Sequence, residues 1–301
     1  MGATTLDSPA AAAAPRPALR DWALMVAPGA IWGTSFLFIA EGLRVLPPAG
    51  VTFARIAIGF LTLTLVPAAR RPLARGDWGA VALLALLWLA FPLSMFPLAE
   101  QWISSALAGM LNGAVPLFTV AVGILLTRRL PVRGVAVGLL VGMAGTVLIA
   151  LPDLGRGSSS VKGVLLVLAA LVSYGFAIHV ARPLQQRNGA LPVMWRALGL
   201  ALLMTAPLGL PAMGGARWRL GSWLALVALG ALGTALAQVI SATAAGRLGA
   251  SRAAATVFIT PVVALALGVA GRGEHVALAS VLGCGVCLLG AWLMGRVPTT
   301  R

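Results

Sequence analysis

Ten apolar runs, each close to the length of a membrane-spanning helix, occupy most of the 301-residue chain. About 20 apolar residues in a helix cross the ~30 Å hydrocarbon core of a bilayer. Only 10% of the residues are charged, against about a quarter in a soluble domain. The chain is therefore predicted to be an all-α polytopic membrane protein with the lipid bilayer as a partner, and a soluble enzyme is excluded. The predicted spans are 23–40, 50–68, 78–98, 103–126, 135–151, 163–180, 191–210, 223–245, 253–270 and 276–294.

The basic residues predict the orientation of these spans. The formal net charge is +15, but Lys162 is the lone lysine and the arginines lie between apolar runs, which is typical of membrane-protein loops and gives no reason to expect a nucleic-acid partner. With the N-terminus inside, 14 arginines fall in cytoplasmic segments and 6 basic residues fall outside, while Arg55 and Arg196 lie within spans. The positive-inside rule thus predicts a protein of the cytoplasmic (inner) membrane with both termini in the cytoplasm.

The two halves of the chain repeat one another. A shift of 145 residues aligns Pro116 with Pro261 and Gly145 with Gly290. Because each half has five spans, an odd number, the second half must cross the membrane in the opposite orientation. Two inverted five-helix repeats are typical of secondary transporters, which bind substrate at the midplane between the halves. The predicted domains are a disordered cytoplasmic tail (1–21), the first repeat (22–152), a connecting loop (153–162), the second repeat (163–295) and a cytoplasmic tail (296–301).

Short motifs in both halves resemble those of the EamA-type drug/metabolite transporters. The first half carries Ile31-Trp32-Gly33-Thr34-Ser35-Phe36, then Leu46-Pro47-Pro48 and Arg55. The second half carries Arg247-Leu248-Gly249-Ala250-Ser251-Arg252-Ala253-Ala254, then Pro261, Gly273-Glu274, Gly283 and Gly290. The resemblance covers residues 23–295 and implies a transporter that exports its substrate through a cavity lined by spans 1, 3, 4, 6, 8 and 9. Arg129 stands where the first repeat of the family usually has a glutamate, so no role of that glutamate can be carried over.

The paired prolines are the sharpest candidate features of the substrate site. Each proline frees the backbone carbonyl four residues earlier, on Asn112 and Val257 respectively. A free carbonyl inside a membrane needs a polar neighbour or a wet cavity, so Pro116 and Pro261 mark either the substrate pathway or a packing kink. The full set of candidate substrate-binding residues is Trp32, Ser35, Ser94, Asn112, Pro116, Tyr174, Gln238, Thr256, Thr260 and Pro261, to which the resemblance adds Met95 and Ser241.

Several of these candidates have a plainer alternative. Trp32 lines a cavity or anchors its span at the interface, and Gln238 contacts substrate or makes an interhelical hydrogen bond. Arg55 is either a counter-charge for a substrate carboxylate or a side chain that reaches back to the interface. All carboxylates fall in tails, in loops or at span ends, including Glu100. The sequence therefore predicts that no single carboxylate is essential to a proton cycle, and His179 serves as an interfacial hydrogen-bonding residue or as a proton relay.

No motif for a cofactor or for enzymatic chemistry is present. The chain has no phosphate-binding loop, and its two histidines and two cysteines, Cys284 and Cys287, do not have the spacing of a metal site. The prediction is a non-enzymatic secondary transporter that needs no cofactor and no oligomer. Its small-molecule substrate is a polar metabolite such as an amino acid or related compound, moved by alternating access. A membrane-embedded enzyme or lipid-handling protein and a structural membrane protein without transport activity remain the alternatives.

Overall fold

The computed structural model describes residues 19–154, 157–248 and 256–296. These residues form helices and short connections and include no strand, which confirms the predicted all-α class for the described part. The helices are α1 (Leu19–Gly42), α2 (Pro48–Thr64), α3 (78–99), α4 (Ser105–Asn112), α5 (Val115–Thr127), α6 (Arg133–Leu154), α7 (Ser158–Asn188), α8 (Ala190–Met213), α9 (220–248), α10 (Thr256–Arg272) and α11 (Leu278–Arg296). Short 3₁₀ turns, Pro67–Arg70 and Arg75–Asp77, join α2 to α3.

Most of these helices have the length and composition of membrane spans. Among the described residues, seven helices qualify alone, and α4 with α5 forms an eighth candidate that is bent by 45°. Two shorter apolar helices, Pro48–Thr64 and Phe258–Arg272, fall on two further predicted spans. The chain is therefore a multi-pass membrane protein with seven or eight helices that meet the criteria for crossing a bilayer.

The bend between α4 and α5 corrects the predicted role of Pro116. The helix α4 ends at Asn112, and Pro116 is the second residue of α5, so it starts a new helix and does not kink a continuous one. Proline suits the first turn of a helix because its missing N–H would have no intrahelical partner there. Pro261 lies inside α10, as predicted. The break packs against it, since a Cβ added to Gly113 would lie 3.0 Å from Pro261 Cγ.

Within the residues that the structure describes, two helices contain a π-helical segment. In α3 it spans Ala85–Ala90, and in α9 it spans Leu229–Leu236. Such segments widen a helix locally and are frequent at functional sites. Each one lies near the middle of its span, between α-helical ends.

Small residues hold α6 against α11. A Cβ added to Gly290 would overlap the backbone of Gly142, and one added to Gly145 would overlap the backbone of Cys287. The two helices therefore approach with almost no side-chain material between them, as glycines spaced four residues apart predict. Cys284 and Cys287 are buried, free thiols within this contact.

Several predicted boundaries differ from the structure. The expected connecting loop 153–162 is helical at both ends, because α6 continues to Leu154 and α7 begins at Ser158, after Gly157 with its positive φ of 116°. Hydropathy ends where apolar residues end, whereas helical hydrogen bonding continues through polar residues. In the expected tails, 19–21 and Arg296 belong to helices. The rest of the tails (1–18 and 297–301) and residues 249–255, which carry part of the second motif and the start of span 253–270, lie outside the described residues.

Candidate functional site

A cavity of about 340 Å³ lies among the helices. This volume is at the small end of the range for ligand pockets and fits a metabolite of amino-acid size. Its walls come from α1, α2, α3, α7, α8, α9 and α10, together with the α4–α5 region. The predicted site residues that line it are Trp32, Ser35, Arg55, Asn112, Tyr174, Gln238, Ser241 and Thr260.

The helix bundle has two chemically different ends. Glu41, Glu100 and Glu274 lie at one end, here called the carboxylate end. The opposite end, here called the arginine end, carries Arg70, Arg71, Arg75, Arg128, Arg129, Arg133, Arg182 and Arg187. The cavity extends to the arginine end, where Gln185 and Leu191 line it at the junction of α7 and α8.

An ionic network ties helices together at the carboxylate end. Arg272 Nη1 lies 2.8 Å from Glu41 Oε1, and Arg272 Nε lies 3.2 Å from Glu274 Oε1. Glu274 also accepts hydrogen bonds from the Ser105 hydroxyl at 2.7 Å and the Ala106 N–H at 2.8 Å. The Glu274 carboxylate thus sits at the start of α4, where the helix dipole favours a negative charge. The network joins α1, α4 and the α10–α11 connection across this end.

Aromatic rings form one wall of the cavity. Phe36 and Phe96 pack edge to face at 5.5 Å between ring centroids, Phe96 and Tyr174 lie 6.2 Å apart, and Tyr174 and Trp88 lie 6.1 Å apart. Trp88 belongs to the π-helical segment of α3. Trp32 also lines the cavity, and its Nε1 donates to the carbonyl of Gly233 in the π-helical segment of α9 at 3.1 Å.

Arg55 is the cation of the cavity. It is 4% exposed, lines the cavity and donates from Nε to the Thr234 hydroxyl at 3.3 Å. Within the described part of the chain its two terminal nitrogens have no hydrogen-bond or ion-pair partner. Small residues bring α9 close to α2 here, since a Cβ on Gly230 would lie 2.9 Å from the Arg55 carbonyl oxygen. A buried guanidinium with free donors is arranged to bind a carboxylate with two parallel hydrogen bonds.

Four predicted site residues do not line the cavity: Ser94, Pro116, Thr256 and Pro261. The Ser94 hydroxyl donates to the carbonyl of Ala90, one turn earlier, at 2.7 Å. Thr256 donates to the Met25 carbonyl at 2.7 Å and so fastens α10 to α1. Met95, which the resemblance suggested, is also absent from the lining.

Two further candidate residues, Thr260 and His179, make hydrogen bonds to the backbone, and only Thr260 also lines the cavity. Thr260 lines the cavity, but its hydroxyl donates a hydrogen bond to the Gly29 carbonyl at 3.3 Å, which again joins α10 to α1. His179 does not line the cavity. Its Nδ1 lies 2.8 Å from the Gly175 carbonyl oxygen, and its ring faces Gly123 of α5.

Several residues that line the cavity were not among the candidates from the sequence, including Trp88, Phe96 and Thr234. Trp88 and Thr234 belong to the π-helical segments, and a helical wheel with a constant 3.6-residue period does not predict where such residues point. Phe96 is one apolar residue in a continuous apolar run, so hydropathy does not distinguish it from a lipid-facing side chain.

Comparison with known proteins places this chain beside transporters. Residues 22–151 and 161–296 each match the EamA-like transporter family. The "Uncharacterized inner membrane transporter YedA" of Escherichia coli (strain K12) is 28% identical over 281 residues, which are 88% of this chain and 87% of that protein. The "Probable terminal-alkyne amino-acid exporter" of Streptantibioticus cattleyicolor is 27% identical over 281 residues, covering 91% and 93%. One crystal structure has the same fold, with a TM-score of 0.64 and 19% identity over 91% of this chain and 96% of that one.

Proposed function

Since this chain belongs to the EamA-like transporter family, which consists of transporters and not enzymes, we propose that it exports a small polar metabolite, such as an amino acid or related compound, by alternating access. One observation carries the proposal. The cavity contains a buried guanidinium with unpaired donors, reaches the arginine end and faces a salt-bridged carboxylate end. If Arg55 served only to pack helices together, its terminal N–H donors would stay without a hydrogen-bond partner.

Two inverted repeats of five spans each are part of this proposal. The short helices Pro48–Thr64 and Phe258–Arg272 supply the ninth and tenth spans. The full helices α2 and α10 each have 17 residues and so extend about 26 Å, which a slightly thinned bilayer accommodates. The π-helical segments begin at Ala85 and Leu229, 144 residues apart. That separation is close to the 145-residue shift of the proline pair and supports a repeat.

The proposed orientation puts the arginine end in the cytoplasm. The positive-inside rule favours this arrangement, and it leaves both termini on the cytoplasmic side. The cavity is then reached from the cytoplasm, while the pairs of Arg272 with Glu41 and Glu274 close the outer end. We expect the reverse arrangement in the state that releases substrate.

The chemistry of the cavity suggests a carboxylate-bearing substrate with an apolar side chain. Arg55 supplies the carboxylate partner. The rings of Trp32, Trp88 and Tyr174 offer apolar contact and a cation–π site for an ammonium group, and the amide of Asn112 offers hydrogen bonds. The amino-acid exporter named among the relatives supports the same class.

Counterflow in liposomes tests this proposal. Purified protein is reconstituted and assayed for exchange of the twenty common amino acids, and at least one is expected to exchange. Arg55→Gln removes charged hydrogen bonds worth about 1.5–3 kcal/mol, so exchange at low substrate concentration should fall about 10- to 100-fold.

Arg196→Gln is the matched control. Arg196 also lies in a predicted span, but it stacks over Trp195 and Trp78 at 5.3 and 5.9 Å and does not line the cavity. It should retain exchange within about twofold of wild type, and size-exclusion profiles should show both variants folded. A wild-type protein that exchanges none of the panel, or equal losses in the two variants, contradicts the proposal.

A further inference from the structure

Glu100 is a buried carboxyl group that the proposed function has not used. It directly follows Ala99, the last residue of α3. Both of its side-chain oxygens are buried, and neither has a hydrogen-bond partner among the described residues. An ionised carboxylate without partners is very costly to bury, whereas a protonated one is far less so. The geometry therefore favours a Glu100 that carries a proton in this state.

Some of the charged and titratable groups on the elements around Glu100 already form ion pairs or hydrogen bonds, and others do not. They are Glu41, Arg55, Lys162, Tyr174, Arg272 and Glu274. Arg272 is paired with Glu41 and Glu274, and Glu274 also accepts hydrogen bonds at the start of α4. Lys162 borders a separate surface hollow with Trp102. Arg55 is thus the nearby cation without an ion-pair partner in the described part of the chain.

Electrostatics around Glu100 agree with this geometry. Burial raises the pKa of Glu100 well above that of an ordinary glutamate, and the charge of Glu274 raises it further. The positive charges of Arg272 and Arg55 lower that pKa, but by less than burial raises it. The direction of the pKa and the unpartnered burial of both oxygens therefore favour the same, protonated form of Glu100.

We propose that Glu100 is the proton carrier of this transporter, and that its proton and the substrate carboxylate bind together because ionised Glu100 and substrate compete for Arg55. The inference rests on the proposed function, since it assumes that Arg55 holds substrate. When substrate occupies Arg55, a second negative charge at Glu100 is unfavourable, so Glu100 keeps its proton. When Arg55 is empty and water reaches Glu100, the charge of Arg55 favours the ionised form of Glu100.

The proton leaves when the carboxylate end opens. Water then reaches Glu100, and its carboxyl O–H transfers a proton to water, leaving a carboxylate on Glu100 and a hydronium ion in solution. The new carboxylate pairs with Arg55 and displaces the substrate carboxylate. Proton and substrate are thus released on the same side, and export down the substrate gradient carries protons outward. This mechanism replaces the sequence-based prediction that no single carboxylate is essential to a proton cycle.

Infrared spectroscopy tests the proton on Glu100 without any substrate. The wild-type spectrum at pH 7 should contain a carbonyl band of a protonated carboxyl group that Glu100→Gln removes. Asp77→Asn is the control, because Asp77 lies at the arginine end, paired with Arg187 at 2.7 Å, and should leave the band unchanged. A wild-type spectrum without a band assignable to Glu100 overturns the proposal.

Transport of L-leucine tests the coupling. Net efflux from wild-type liposomes should raise the internal pH with about one proton per leucine, reported by a trapped pH-sensitive dye. Glu100→Gln should keep leucine exchange within about threefold and lose the pH change, whereas Asp77→Asn should keep both. Leucine efflux without proton movement in wild type overturns the proposal, and this result does not depend on how well any variant folds. Unchanged proton movement in Glu100→Gln also overturns it. If wild type exchanges another amino acid of the panel but not leucine, that amino acid replaces leucine in this test; exchange of none of the panel counts against the proposed function, and the infrared result still decides the state of Glu100.

Discussion

Replacing Arg272 with glutamine should open the carboxylate end more often. Arg272 is 26% exposed and forms two ion pairs, with Glu41 at 2.8 Å and with Glu274 at 3.2 Å. Partly exposed pairs contribute about 0.2–1 kcal/mol each, so their loss removes about 0.4–2 kcal/mol from the closed state. The ratio of open to closed molecules should therefore rise about 2- to 30-fold.

Cysteine labelling measures this change. Ile39 lines the cavity towards the carboxylate end and is 1% exposed, so Ile39→Cys, in a chain with Cys284 and Cys287 changed to alanine, reports opening to that side. A membrane-impermeant maleimide added from the carboxylate end should label it about 2- to 30-fold faster when Arg272→Gln is added.

Arg44→Gln is the matched control for this labelling. Arg44 is 48% exposed and, in the described ranges of the chain, forms one ion pair, with Glu41 at 3.0 Å. Its removal should change the labelling rate less than about twofold. Equal rates with and without Arg272→Gln, or equal acceleration by the two variants, would refute the assignment of the network as the closure of this end.

Three further substitutions test separate parts of the structure. Asn112→Leu should abolish amino-acid exchange while the protein still elutes as a folded species, because the amide lines the cavity; retained exchange would make Asn112 a packing residue. Gly290→Leu should lower the melting temperature in detergent, because it should destabilise the protein by more than the ~1–3 kcal/mol typical of overpacking. Gly285→Leu is the control on the same helix, since its side chain would meet open space and should not destabilise the protein. Equal melting temperatures of the two variants would contradict the close α6–α11 contact. Trp32→Phe removes the hydrogen bond to the α9 backbone and should cost about 0.6 kcal/mol with exchange retained; complete loss of exchange would mean that the indole N–H serves the substrate.

The apolar runs were sufficient to predict an all-α membrane protein, because a bilayer leaves helices as the main way to satisfy backbone hydrogen bonds in such a chain. Arg55 was also identifiable as a candidate, since a charge inside an apolar run is costly, but the same criterion selects Arg196, which does not line the cavity. The π-helical segments were not predictable, because their extra residue changes which side chains face the cavity without changing composition. Trp88, within such a segment, lines the cavity, whereas Ser94, on the same helix, does not.

The burial of Glu100 could not be inferred from its position at the end of a predicted span. Its environment depends on Arg55, Arg272 and Glu274, which are distant in the sequence and meet it only in the folded bundle. The break before Pro116 likewise lies against Pro261 from the other half of the chain. Hydropathy and short motifs describe local sequence and so do not predict contacts between residues that are far apart in the chain.

The most direct test of the central claim is competition between two matched compounds for L-leucine exchange in wild-type liposomes. One is 4-methylpentanoate, which keeps the carboxylate of leucine and lacks the amino group. The other is 3-methylbutylamine, which keeps the amino group and lacks the carboxylate. If Arg55 holds the substrate carboxylate, 4-methylpentanoate should inhibit exchange at a concentration at least about tenfold lower than 3-methylbutylamine, since a charged hydrogen-bonded contact contributes about 1.5–3 kcal/mol. Stronger inhibition by the amine, or equal inhibition by both compounds, would contradict the claim.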